Sequence, residues 1–108
     1  MMKYSRRLKQ SMQIKYSEKS ILDLDTIIQY ISQDSLSRAL SYADFLKSKI
    51  EILEFSPYLG IECKYKKVYQ NCRMYIVDCY LIFYTVQNNL IIIRRILNSA
   101  VDYKRKKI

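Results

Sequence analysis

The only proline and the only glycine in the 108-residue chain lie three residues apart, at Pro57 and Gly60. They divide it into two stretches of different character. A chain with so few breakers elsewhere must build long regular elements on either side of that single strong turn. Before Pro57 the apolar residues recur at helical spacing, and after Gly60 they form runs rich in Tyr, Ile, Val and Phe, the composition of strands.

Met12, Ile14 and Tyr16 alternate with Gln13, Lys15 and Ser17, so a short strand with one apolar face opens the regular sequence. Ser17 is placed to cap a helix, and Glu18 suits the positive end of its dipole. Ile21, Leu24, Ile27, Ile28 and Ile31 give that helix an apolar stripe as far as about Gln33. After a break at Asp34-Ser35, a second helix to about Phe55 carries Leu36, Ala39, Leu40, Ala43, Leu46, Ile50 and Leu53. So short a break predicts an antiparallel helical hairpin. Beyond Gly60, strands are expected at 61–69, 73–78, 80–86 and 90–97. Gln87-Asn88-Asn89 can turn between the last two, because Asn tolerates positive φ. The fold class is therefore α+β: an N-terminal strand, a helical hairpin, then a three- to four-stranded, mainly antiparallel sheet with the helices on one face.

Composition removes several chemistries. One glycine leaves no Gly-rich phosphate loop or dinucleotide fingerprint. The absence of His excludes Ser-His and Cys-His dyads and any imidazole-held zinc. Cys63, Cys72 and Cys79 form no CxxC pair, and three free, mostly buried thiols in a reducing cytoplasm are expected. No cofactor or metal is implied. The segment before Ser17 lacks the apolar core of a secretory signal, and the longest apolar run, Cys79 to Tyr84, is too short to span a bilayer.

The net charge of +9 is unevenly placed. Residues 1–11 carry Lys3, Arg6, Arg7 and Lys9 and no acid, and read as a basic extension, with Met12 a second candidate start. Residues 12–103 form one domain, acidic to Glu62 (five basic, eight acidic residues) and basic afterwards (six basic, two acidic). Residues 104–108, KRKKI, form a basic tail. Lys64, Lys66 and Lys67 interleave with Tyr65 and Tyr69. Such an edge can contact phosphates or a protein, or can serve only to discourage edge-to-edge aggregation. Arg73, Arg94 and Arg95 lie within or beside apolar strands, where an unpaired charge is costly. An internal ion pair is the simple expectation for Arg73. Arg94 and Arg95 cannot share one sheet face, so one can meet Asp23 or Asp25 while the other faces outwards.

In order along the chain come Tyr16-Ser17, Asp23-Leu24 with Ile27 and Tyr30, and Ala39. Leu53 with Pro57 and Gly60, Arg73, the Tyr80-Leu81-Ile82-Phe83-Tyr84 run, and Ile93-Arg94-Arg95-Ile96-Leu97-Asn98 leading to Asp102 complete the pattern. From about Met12 to Asp102 this resembles the RelE/ParE superfamily of type II toxin–antitoxin toxins, the ParE branch more closely. The resemblance implies a toxin that binds and inhibits DNA gyrase and is neutralised by a cognate antitoxin. It implies target-binding residues at Arg73, Arg95, Asn98, Tyr103, Lys104 and Arg105. The alternative it implies is a ribosome-dependent mRNA endoribonuclease, with Lys64, Lys66, Arg73, Arg95 and Tyr103 as its candidates. Leu81 stands where RelE-type ribonucleases carry Arg, and the His of YoeB-like relatives is absent, which favours the first; Asn98 departs from the ParE-like pattern, which commonly has His there. A homologue without toxicity is a third reading.

Overall fold

The computed structural model describes residues 12–63 and 71–100. Strand β1 (Gln13–Tyr16) is followed by helices α1 (Glu18–Ser32) and α2 (Leu36–Glu51) and a 3-10 turn at Ile52–Glu54. Strands β2 (Ile61–Glu62), β3 (Cys72–Val77), β4 (Tyr80–Gln87) and β5 (Leu90–Asn98) complete the fold. They form a five-stranded mixed sheet of order β1-β5-β4-β3-β2. The β2–β3, β3–β4 and β4–β5 pairs are antiparallel, whereas β1 joins the sheet parallel to β5. The α+β expectation holds, with the N-terminal strand and four strands after the hairpin, the upper of the expected numbers.

Both helix starts are where capping chemistry puts them. Ser17 accepts from the Ser20 amide and Ser35 from the Arg38 amide, each satisfying one of the orphan donors of a first turn. Leu24 and Ile27 of α1, Ala43, Leu46 and Ile50 of α2, and Leu53 bury themselves against Tyr80, Ile82, Tyr84 and Val86 of β4 and Ile91, Ile93 and Ile96 of β5. On the other sheet face Leu81, Phe83 and Leu97 gather with Cys63 and Cys72. Strand β4 is buried on both faces from Tyr80 to Val86, as its unbroken apolar sequence requires.

Three expectations change, and Gly60 acts in an unforeseen way. The apolar stripes are wider than the surface the sheet covers: Ile21, Leu36 and Leu40 stay 49%, 61% and 51% exposed. The second helix loses its regular turn at Glu51, four residues early, and continues as the 3-10 turn. Gly60 adopts no positive φ; the chain needs glycine there for space. A Cβ on Gly60 would lie 2.7 Å from the Met74 carbonyl oxygen and 2.8 Å from Tyr84 Oη, closer than real contacts allow. Finally, Cys63 and Cys72 are not free thiols: they form a disulfide, with Cα atoms 5.2 Å apart. The Cys63 amide donates to the Cys72 carbonyl at 2.9 Å, so the β2–β3 register brings the two side chains together. Cys79 is a free thiol but is exposed in the β3–β4 turn.

Among the described residues the positive-φ positions are Asn71, Asp78 and Asn88. Asn88 lies in the predicted β4–β5 turn, and Asp78 makes the two-residue connection between β3 and β4. The basic extension 1–11, the Lys64 to Tyr69 alternation and the tail 104–108 lie outside the described residues. Among the described residues no helix is long and apolar enough to cross a membrane.

Candidate functional site

The two adjacent arginines of β5 are separated as strand geometry demands, with help from a register break. Phe83 pairs with Arg95 and Tyr84 with Ile93, so Arg94 is the extra residue of a β-bulge. The Ser17 hydroxyl donates to the Arg94 carbonyl at 3.0 Å while accepting from the Ser20 amide at 3.1 Å. The cap of α1 thereby satisfies the bulge. Arg94 Nε reaches Thr85 Oγ1 at 3.3 Å, next to the second core cluster. Arg95 turns to α1 and forms a two-pronged ion pair with Asp23, Nε to Oδ2 at 2.8 Å and Nη2 to Oδ1 at 2.9 Å. Asp23 Oδ2 also accepts from the Ile96 amide at 2.9 Å. Both side chains are only 13% exposed. Sheltered pairing of this geometry is strong and binds α1 to the last strand.

Arg73 makes a different kind of bond from the expected ion pair. Its Nε donates to the Gly60 carbonyl at 2.8 Å, Nη2 lies 3.4 Å from the Tyr58 carbonyl, and the guanidinium stacks over the Tyr58 ring at 5.2 Å. The reason is positional: the Pro57–Gly60 turn passes over β3 and presents its carbonyls to Arg73. The buried Tyr84 hydroxyl completes the clamp, donating to the Pro57 carbonyl at 2.7 Å and accepting from the Gly60 amide at 2.9 Å. Burial raises the Tyr84 phenol above its ordinary pKa, opposed by the Gly60 amide and the Arg73 charge. Arg73 also borders a cleft of about 590 Å³ with Tyr58, Glu62, Asn71 and the disulfide.

At the opposite end of the sheet, Asn98 Oδ1 accepts from the Ala100 amide at 2.9 Å and its Nδ2 faces Cys79 Sγ at 3.8 Å. The Ser99 amide donates to the Cys79 carbonyl at 2.9 Å. These bonds fix the direction in which the chain leaves β5. Nearby, the Tyr42 hydroxyl donates to Asp78 Oδ2 at 2.9 Å. Burial first, and this bond second, raise the Tyr42 pKa. Tyr16 is pushed up to about 12 by burial and by the charge of Glu51.

Of the residues singled out from sequence, the structure therefore places Arg73 and Arg95 in internal bonds at separate positions and Asn98 at the exit of β5. Lys64, Lys66, Tyr103, Lys104 and Arg105 lie outside the described residues. Sequence reasoning missed the Tyr84 clamp, whose partners lie 24 and 27 positions away; its signals were Pro57 and Gly60 marking the turn and a Tyr within the apolar β4 run. Among the described residues no group of Cys, Asp and Glu is arranged to hold a metal.

The architecture is a helical hairpin laid on a mixed five-stranded sheet whose strand β5 carries two arginines. The chain is similar in fold to one in a solved structure described as "Chromosomal ParDE TA system from P. aeruginosa". That similarity has a TM-score of 0.70 at 18% identity, covering 82% of this chain and 97% of that one. No curated protein matches. The family described as "ParE toxin of type II toxin-antitoxin system, parDE" matches residues 14–103. The chain belongs to the ParE toxin family, which carries with it an antitoxin partner.

Proposed function

We propose that the chain acts by binding DNA gyrase and blocking its supercoiling activity, and that its antitoxin reverses this. The observation that carries the reading is the family match, which spans nearly the whole of the described fold. Two features of the chain support it. A protein without His lacks the commonest proton-transfer group. Moreover Arg73 and Arg95, which the endoribonuclease reading would use to stabilise transition-state charge, are engaged with Gly60 and Asp23 instead. The surface proposed to meet gyrase is the exit of β5, from Asn98 through Tyr103, Lys104 and Arg105, where basic residues follow a fixed strand end. Arg73 and Arg95 act at a distance from it by holding the fold.

The test is a supercoiling assay with purified gyrase, relaxed plasmid and the purified chain. Supercoiling should fall with increasing toxin and recover when the antitoxin is added. Joint replacement of Lys104 and Arg105 by Glu should weaken inhibition about tenfold or more. Unchanged supercoiling at saturating toxin sinks the reading. New codon-linked 5′ ends in mRNA after induction would favour the endoribonuclease in its place.

A further inference from the structure

The cleft beside Arg73 lies away from the exit of β5 and plays no part in the surface proposed to meet gyrase. Its volume of about 590 Å³ falls within the range of ligand pockets, which run from about 300 to 1,000 Å³. The Pro57–Gly60 turn supplies Tyr58, β2 supplies Glu62, and Asn71 and Arg73 come from the start of β3. Val86 of β4, almost fully buried, gives an apolar wall. The frame is held on two sides. Gly60 is bonded to Tyr84 at 2.9 Å and to Arg73 at 2.8 Å, and the Cys63–Cys72 disulfide ties β2 to β3. A cleft fixed before its ligand arrives loses little to ordering on binding.

Glu62 and Arg73 stand directly opposite each other in the β2–β3 register, so their Cβ atoms lie about 5 Å apart on one sheet face. Opposite charges so placed ordinarily pair. Among the described residues, however, no carboxylate forms an ion pair with Arg73. Its Nε and Nη2 go to the Gly60 and Tyr58 carbonyls, and the Nη1 end of the guanidinium remains for a ligand. The cleft thus offers a cation and an anion side by side, each unmet by the other. A planar guanidinium suits a carboxylate. Glu62 can only accept, so the same ligand must carry an N–H close to its carboxylate. The last residue of a polypeptide has both, with its nitrogen and carboxyl carbon about 2.5 Å apart. An Asp or Glu side chain sets its carboxylate one or two bonds further from the backbone nitrogen, and a phosphate brings no N–H and is repelled by Glu62. We propose that this cleft binds the C-terminal residue of a partner polypeptide. The α-carboxylate meets Arg73, the adjoining backbone N–H meets Glu62, and an apolar side chain lies against Val86 and the exposed ring of Tyr58, a form of C-terminal carboxylate capture. This assignment does not depend on gyrase as the target.

An NMR titration of the unmodified, nitrogen-15-labelled full chain tests it, so that no variant need fold. The probe is the tripeptide acetyl-Ala-Ala-Leu with a free C-terminal carboxylate. It should shift the amide signals of Glu62, Cys63 and Arg73 and the Arg73 Nε–H signal, saturating with a dissociation constant of order 1 mM or below. The C-terminal amide of the same peptide should bind about tenfold more weakly or worse, because it loses the charged partner of Arg73. Methylation of the Leu nitrogen should weaken binding about threefold or more, because it removes the N–H offered to Glu62. Equal binding of acid and amide overturns the proposal, as do shifts centred away from the cleft. Inorganic phosphate binding as tightly as the acid overturns it in favour of a plain anion patch. Acetyl-Ala-Glu-Ala-amide binding as tightly overturns it in favour of acidic side chains, and free leucine binding as tightly overturns it in favour of a free amino acid.

Discussion

Replacing Tyr84 by Phe removes one oxygen atom from a fully buried side chain and leaves the ring in place. That oxygen donates to the Pro57 carbonyl and accepts from the Gly60 amide, so the change orphans one acceptor and one donor at once. A buried group that loses its partner costs about 1–3 kcal/mol. The Pro57 carbonyl can regain some of this from water, so we take about 3 kcal/mol for the pair of losses. For a domain whose total stability is about 5–15 kcal/mol, that is a large fraction. It corresponds to a fall in Tm of about 12 °C. The assay is thermal unfolding followed by far-UV circular dichroism, with Tyr42→Phe as the internal control. Tyr42 also loses one hydroxyl bond, but to Asp78 at the surface, and should cost no more than about 1 kcal/mol. If Tyr84→Phe melts within a degree or two of the parent, or no lower than Tyr42→Phe, the clamp does not hold the turn and the reasoning fails.

Asp23→Ala should destabilise the fold by about 2–4 kcal/mol in urea unfolding, because it strands the sheltered Arg95 guanidinium and the Ile96 amide together; Asp23→Asn, which keeps one acceptor, should cost less. Gly60→Ala should lower stability by about 2–3 kcal/mol, since the new methyl meets backbone of β3 that cannot move aside. A value near zero in calorimetry would mean that the turn can shift. The tyrosines give a signed pH dependence. Tyr16, Tyr42 and Tyr84 hold their protons more tightly folded than unfolded, so their contribution is complete below about pH 10. It is lost as pH rises through the folded values, which for Tyr16 is about 12. Unfolding releases protons in that window, and stability must fall there. A tyrosinate absorbance titration should show a late-ionising group, and stability rising between pH 10 and 12 would contradict the account.

What could be read in advance was local or periodic. The Ser17 and Ser35 caps, the Asn88 turn and the doubly buried β4 strand follow from neighbours in sequence. What could not be read depends on residues that meet only after folding. Tyr84 finds Gly60 across 24 positions and Arg95 finds Asp23 across 72. For the second pair, strand alternation required that the adjacent arginines part, and so narrowed the partner to Asp23 or Asp25, but the bulge at Arg94 decided the outcome. Arg73 was expected to seek a carboxylate because charge suggests charge; the nearest acceptors were turn carbonyls, which no periodicity reveals. The cysteine count argued for free thiols because three is odd, and only the β2–β3 register shows which two can meet. The stripe on α2 predicted too much burial because periodicity marks an apolar face without saying how much of it the sheet can cover.

Strand β1 is parallel to β5 and bonded along its length to Leu90–Ile93, so among the described residues the first strand pairs with the last. During synthesis, the edge from Gln13 to Tyr16 has no mate until β5 has been made. The helical hairpin can form earlier from its local contacts, but it has no sheet to lie on. The sheet is therefore complete only once β5 has been made. Until then the growing chain presents an unpaired strand and an uncovered apolar hairpin, the features through which incomplete chains stick to one another.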